Sequence, residues 1–297
     1  MTQFVQNLID GLGLGGTYAL LALGISLIFG VMHLVNFAHG ELITVGAYTG
    51  YFCFTQLGGS WWWMPVAIIG SCVAASVLTE RIAFRWVRNA NPFTMLLTSF
   101  ALERLSHALW QIFVSPKSKA FPKTSWAFDT LTFGNVRVEK MDLVTIGVTA
   151  LALIGTALVF KRTLFGIAVR GAAEDFDAAR LMGVKANRVI LGAFAYAGLL
   201  AGVAAVLILM RTPSAKPDMG SAWLLSAVIA AVIGGMGSFT GAVVGGVVLG
   251  MLQTFFQSYL PEGTLSYLND AFVFAVIALV FIVRPQGLFD VAHAERV

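Results

Sequence analysis

Nine mostly apolar runs, several close to 20 residues long, follow one another along the 297-residue chain, at about 11–33, 36–57, 61–79, 93–114, 142–161, 189–210, 222–235, 240–259 and 267–283. A helix needs about 20 apolar residues to cross the hydrocarbon core of a bilayer. Only 11% of the residues are charged, whereas a soluble domain carries about 25%. The pattern predicts an all-α fold, a polytopic transmembrane helical bundle of about 8–10 spans with broken helices among them, as one membrane domain over 1–297. The net charge of +4 is dispersed over loops without a basic tract, so the expected partner is membrane lipid and not nucleic acid. Met1 to Asp10 lacks the positive flank of a signal peptide, and the first run is expected to be retained as a helix. Cys53 and Cys72 lie inside apolar runs as small hydrophobes, too few for a disulfide framework.

One polar island interrupts this pattern at 161–188, with Lys161, Arg162, Arg170, Glu174, Asp175, Asp177, Arg180, Lys185 and Arg188. Ionised side chains cost roughly 2.5–3.5 kcal/mol each at the bilayer centre, so the island belongs in water on one face of the membrane. Ala178, Ala179, Leu181 and Met182 stand at helical spacing and predict a short helix with an apolar face. Asp177 near its start suits the macrodipole, and Gly183 suits its end, where glycine takes the left-handed conformation. Such a helix is either a solvated connector or a rigid lever for a groove in another protein. A second polar loop, 115–141, contains Pro116, Pro122 and five cations and reads as an excursion without a core. Lys and Arg set the orientation. With the N-terminus outside, inner loops hold Arg81, Arg85, Arg88, the island's six cations, Arg284 and Arg296. Outer loops hold Lys117, Lys119, Lys123, Arg137, Lys140, Arg211 and Lys216. The inner excess follows the positive-inside tendency and puts 161–188 in the cytoplasm and 115–141 outside.

Two stretches read as helix, break, helix. Asn36-Phe37-Ala38-His39-Gly40-Glu41 separates one apolar pair, and Gly234-Gly235-Met236-Gly237-Ser238 separates another. Non-helical backbone at membrane depth is tolerated only where protein packs it or water reaches it. Paired breaks in two halves of a transporter point to a substrate path at a repeat interface. Asn36, His39, Glu41, Gly234, Gly235, Gly237 and Ser238 are therefore candidate path residues, and the two breaks are expected to approach each other. His39 and Glu41 also fit a structural role, with Asn36 satisfying broken backbone. They do not make a metal site, which needs three or four converging ligands. Glu103, Arg104 and His107 fall within one run, with Glu103 and His107 one turn apart. An ion pair that fixes packing is the expected role, and proton coupling is the sharper alternative.

Other motifs carry no chemistry. Gly11-x-Gly13-x-x-Gly16 has the spacing of a dinucleotide fingerprint but no preceding strand. Gly241-x-x-x-Gly245 and Gly246-x-x-x-Gly250 fit close helix packing in membranes, and Trp61-Trp62-Trp63 fits a membrane–water interface. No phosphate-cradling G-x-x-x-x-G-K-[ST] run occurs, so nucleotide hydrolysis would have to come from a partner. No catalytic nucleophile–base arrangement is found, which leaves an intramembrane enzyme without support.

Five segments in order resemble one family. They are Gly16-Thr17-Tyr18-Ala19-Leu20; Val35-Asn36-Phe37-Ala38-His39-Gly40-Glu41; Glu174 to Gly183 with Val184 and Arg188; Ala231-Val232-Ile233-Gly234-Gly235-Met236-Gly237-Ser238 with Gly241-Ala242 and Gly245-Gly246; and Arg284-Pro285-Gln286-Gly287-Leu288-Phe289. Together they resemble the permease subunits of branched-chain amino-acid ABC importers, of the livH type. The resemblance implies a docking loop for ATPases with Glu174, Asp177, Ala178, Ala179 and Gly183, and Ala178/Ala179 are expected to face the ATPase. It implies a homologous second permease, two cytoplasmic ATPase subunits that hold ATP and Mg, and an extracytoplasmic substrate-binding protein. No cofactor is expected on this chain, and the implied location is the bacterial inner membrane. The wider family also imports urea, short amides and other small organic solutes. An ion-coupled secondary transporter is the reading from a different class, with Glu103/His107 its only coupling candidate.

Overall fold

The computed structural model describes residues 2–58, 62–88, 90–120, 129–133, 136–174, 176–259, 269–284 and 287–289. Its elements run α1 (Thr2–Met32), a 3-10 turn (Phe37–His39), α2 (Glu41–Gln56) and α3 (Met64–Thr79). A π turn (Glu80–Phe84), α4 (Arg85–Val87), α5 (Pro92–Phe113), β1 (Lys119–Ala120), β2 (Thr130–Phe133) and β3 (Val136–Glu139) follow. The remainder is α6 (Lys140–Arg162), α7 (Leu164–Glu174), α8 (Phe176–Leu181), α9 (Ala186–Arg211), β4 (Ser214–Ala215), α10 (Met219–Gly234), α11 (Phe239–Tyr259) and α12 (Asn269–Val283). Each of the nine apolar runs falls on a helix. Among the described residues, five helices are both long and apolar enough to cross a membrane: Gln3–Met32, Met64–Val87, Lys140–Arg162, Asn187–Arg211 and Phe239–Tyr259. The 16 residues of α10 span about 24 Å at 1.5 Å per residue, short of the roughly 30 Å core.

α1 is the central strut. Leu20, Leu21, Ile25, Leu27 and Ile28 are almost wholly buried. α11 lies along α1 and touches it backbone to backbone at two glycines: a Cβ on Gly246 would run into Ala19, and one on Gly250 into Gly15. This is small-residue packing, the kind lipid favours because it lets helices approach closely. The other glycine row of α11 serves α10, where Gly245 meets Ala230 and Gly241 meets Gly234. The fingerprint-like glycines, and Gly15 among them in the chain, likewise make room for neighbours. Gly11 and Gly15 face α11, Gly16 faces Thr149 of α6, and Gly13 makes room for the Arg211 guanidinium.

Two apolar clusters result. The larger joins the middle of α1 to α2, α9 and α10 through residues such as Leu21, Ile43, Tyr48, Leu200, Leu209 and Ala227. The smaller sits at the other end, where Leu27, Ile28, Val31 and Leu34 meet Phe84, Phe160, Val169, Ala179, Ile190 and Phe194. Cys53 and Cys72 are buried free thiols.

The polar loop 115–141 has more structure than expected. β2 and β3 form an antiparallel hairpin, Thr130 opposite Glu139 and Phe133 opposite Val136, and β1 pairs with β4 after α9. Of the tryptophan triplet, Trp62 is almost fully exposed and Trp63 partly so; Trp61 lies outside the described residues.

Candidate functional site

The island folds into α7 and α8. Gly166, Val169 and Ala172 are the buried face of α7, while Leu164 and Ile167 are exposed. α8 closes with Gly183 at φ 86°. The Gly183 N–H donates to Arg180 O at 3.0 Å, and the Val184 N–H donates to Ala179 O at 3.1 Å. These two bonds are a Schellman end, which satisfies carbonyls the helix leaves open and requires a residue tolerant of positive φ.

The helix is rotated from the expected orientation. Ala179 does not face outward; it is 7% exposed and belongs to the smaller core, against the α1, α7 and α9 cluster. Ala178 is exposed, as are Leu181 at 90% and Met182 at 86%. Positions 178, 181 and 182 share one helical face, so the outward surface is an apolar knob made of these three. Glu174 is exposed beside it. Asp175 lies outside the described residues, and the Asp177 backbone is within α8. Arg180, Lys185 and Arg188 line a shallow cavity of about 550 Å³ beyond Gly183.

The first break is a capped turn. Asn36 Oδ1 accepts from the Ala38 N–H at 3.1 Å. His39 is buried with its ring against Gly24 of α1, where a Cβ would come within 2.8 Å of Nε2. Gly40 and Gly220 touch backbone to backbone at the start of α10, and the Gly220 N–H donates to Thr44 Oγ1 at 3.1 Å. Glu41 is buried, and neither carboxylate oxygen has a hydrogen-bond partner.

The second break lies at the other end of α10. Gly235 and Gly237 have φ of 98° and 88°. The Gly237 N–H donates to Ser26 Oγ at 3.0 Å, and the Gly241 N–H to Ser238 Oγ at 3.0 Å. The chain after α12 closes the remaining gap: the Leu288 N–H donates to Ile233 O and the Phe289 N–H to Gly234 O.

The expected convergence of the breaks is not found. Gly220 and Gly234 are separated by the length of α10, about 21 Å along the helix. α1 also intervenes. The first break rests on Gly24 and the second on Ser26, two positions about 200° apart around a helix. Both breaks buttress α1 from opposite sides.

Glu103 and His107 do not pair. Ser221 Oγ at the start of α10 donates to Glu103 Oε1 at 2.8 Å, and Arg104 Nε stands 3.0 Å from Glu103 Oε2. His107 bonds with Gln111 instead, at 3.1 Å. α5 is held against the first break and α2 by stacked rings, Phe37 on Phe100 at 4.1 Å and Tyr48 on Trp110 at 4.4 Å.

One further polar site went unforeseen. Asp142 at the start of α6 and Arg211 at the end of α9 form a partly buried ion pair. It borders a cavity of about 800 Å³ with Gln3, Gln6, Asp10 and Glu139, opposite the island. Both residues close apolar runs, so the sequence marks them as run ends; their pairing across 69 positions carries no local signal.

The model for the permease component of the branched-chain amino acid transport system matches residues 7–283. The high-affinity branched-chain amino acid transport system permease protein BraD of Pseudomonas aeruginosa is 30% identical over 309 residues, covering 99% of this chain and 98% of its own. The corresponding LivH proteins of Salmonella typhimurium and Escherichia coli K12 are each 30% identical over 305 residues, with 99% and 98% covered. A metal-chelate type ABC transporter in an inward-facing conformation matches with TM-score 0.50 at 15% identity, over 94% of this chain and 85% of that one, a likeness of fold alone. With a family match over nearly the whole chain and full-length relatives at this identity, the protein belongs to the permease-component family of branched-chain amino acid transport systems.

Proposed function

We propose that this chain is one of two permease subunits of an ATP-driven importer of branched-chain or other aliphatic amino acids in the bacterial inner membrane. The full-length likeness to relatives with that role supports the substrate class. The observation that carries the coupling mechanism is the apolar knob of Ala178, Leu181 and Met182, displayed on a cationic island by a helix anchored through Ala179. An isolated patch of this kind fits a groove in a cytoplasmic ATPase. Because α7 and α8 pack on the lower ends of α1, α6 and α9, a push on the knob is delivered to the membrane helices as a rigid-body displacement.

In this reading a homologous second permease completes the path. Two ATPases, which hold ATP and Mg, grip the islands, and a substrate-binding protein delivers from the far side, where Asp142 and Arg211 stand. The test is reconstitution of the whole complex in proteoliposomes. ATP-dependent uptake of labelled leucine, isoleucine or valine is the expected result. Uptake of urea or an amide in preference to them would move the substrate class. Uptake that persists without ATP and collapses with the ion gradient would replace the reading by a secondary transporter.

A further inference from the structure

Arg104 occupies an unusual place. It is the thirteenth of the 22 residues of α5, about 18 Å along a helix about 33 Å long, and its side chain is 73% exposed. A guanidinium at that depth facing lipid costs several kcal/mol, so the surface around it faces water or protein. α5 is long enough to cross a membrane yet is not among the five described helices apolar enough to do so. Its exposed surface is divided over the second half, Arg104 to Phe113; in the first half Phe93, Leu97 and Phe100 are exposed on Arg104's side of the helix. Leu105, Leu109 and Ile112 form an apolar side, while Arg104, His107 and Gln111 form a polar edge next to the buried face.

The guanidinium is held by its own chain. Glu103, almost fully buried and fixed by the Ser221 hydroxyl, engages Nε. That leaves the Nη1–Nη2 edge of the plane directed away from Glu103, the fork that pairs with a carboxylate in two parallel hydrogen bonds. One turn to either side stand the exposed alanines Ala101 and Ala108, with Phe100 and His107 at the alternate helical spacing. A second group points the same way. Glu41, 5% exposed, keeps both carboxyl oxygens without a hydrogen-bond partner and lies within coulombic reach of Glu103 and Arg104.

We propose that Arg104, positioned by Glu103, is a carboxylate-reading site on the translocation path. A zwitterionic solute passes with its carboxylate on the Nη edge and its ammonium group turned toward Glu41. The inference rests on the importer reading above and sharpens it: the site selects solutes with an anionic carboxylate, and urea and simple amides have none.

The test uses the full complex, with Cys53 and Cys72 replaced and a single cysteine introduced as Ala108→Cys. ATP-driven leucine uptake by the wild-type complex is measured first; its absence overturns the importer reading, and this proposal with it. Where uptake is present, the Ala108→Cys thiol is expected to react with a charged, membrane-impermeant methanethiosulfonate. Leucine should slow that reaction, and leucinamide, which lacks the carboxylate, should not. Arg104→Gln should remove the protection and lower uptake at least tenfold with the complex still intact on gel filtration. Arg104→Lys, which keeps the charge without the fork, should retain part of both and guards against a folding defect. A thiol reached only by lipid-soluble reagents would place this face against lipid or a partner subunit and overturn the proposal alone. So would equal protection by leucine and leucinamide, or protection that survives Arg104→Gln.

Discussion

Removing the apolar knob of α8 should uncouple the permease from its ATPase without unfolding it. Leu181 and Met182 are 90% and 86% exposed, so truncating them takes almost nothing from the chain's own core. Surface substitutions of this kind change stability by no more than about 0.5 kcal/mol. In a docked complex the same side chains are buried. Each buried methylene contributes about 0.8 kcal/mol, and Leu→Ala removes the equivalent of three, roughly 2 kcal/mol per site. A loss of that size weakens association about 30-fold, since every 1.4 kcal/mol is tenfold. The double variant Leu181→Ala/Met182→Ala should therefore be produced and inserted at normal levels, fail to retain the ATPase through detergent purification, and lose ATP-driven uptake. Ala179→Trp should behave in the opposite order. Its bulk enters the cluster of Leu27, Val169 and Ile190, so the amount of folded permease falls first. If the double variant copurifies with its ATPase and transports normally, the knob is not the docking surface.

Gly246→Val should force α1 and α11 apart, because its Cβ would meet the Ala19 backbone; the expected cost is about 1–3 kcal/mol, read as a lower yield of monodisperse protein and a lower midpoint of thermal aggregation. Glu103→Gln keeps an acceptor for Arg104 and Ser221 and should retain most ATP-driven uptake even after the proton gradient is collapsed, whereas Glu103→Leu should reduce folded protein because it strands those partners; a folded, ATP-hydrolysing Glu103→Gln complex without transport would mean that the charge of Glu103, and not only its acceptor oxygens, is needed in the transport cycle. A cysteine at Met236, on the exposed tip of the second break, should react with small polar thiol reagents, while one at His39, buried against Gly24, should not. Equal labelling of both would mean that the first break opens to water.

Much of the architecture follows from one-dimensional pattern. Runs of apolar residues can be satisfied in lipid only as helices, and all nine became helices because that constraint acts on each segment by itself. The end of α8 is equally local: a positive φ is needed after the last turn, and Gly183 is the residue that provides it at no steric cost. The pairing of 130–133 with 136–139 was legible too, since Thr130 to Phe133 and Val136 to Glu139 both alternate polar and apolar residues; the five cations of 115–141 mask that alternation in the average polarity of the loop.

Rotation and partnership were decided elsewhere. In the six residues of α8, Ala179 is as apolar as Ala178, and nothing local says which turns inward. Beneath α8 lies the cluster built by α1, α7 and α9, and it is Ala179 that packs into it while Leu181 and Met182 stay exposed. Helical spacing made His107 the natural partner of Glu103, yet the hydroxyl that reached Glu103 is Ser221, 118 positions away. Likewise the two breaks looked like one site because each interrupts a helix, but the path of α1 between Gly24 and Ser26 separates them. Hydrophobicity and backbone torsion belong to single residues and their near neighbours, so the sequence determines them. Which face turns inward depends on the summed shape of helices distant in the chain, and only the packed bundle contains that information.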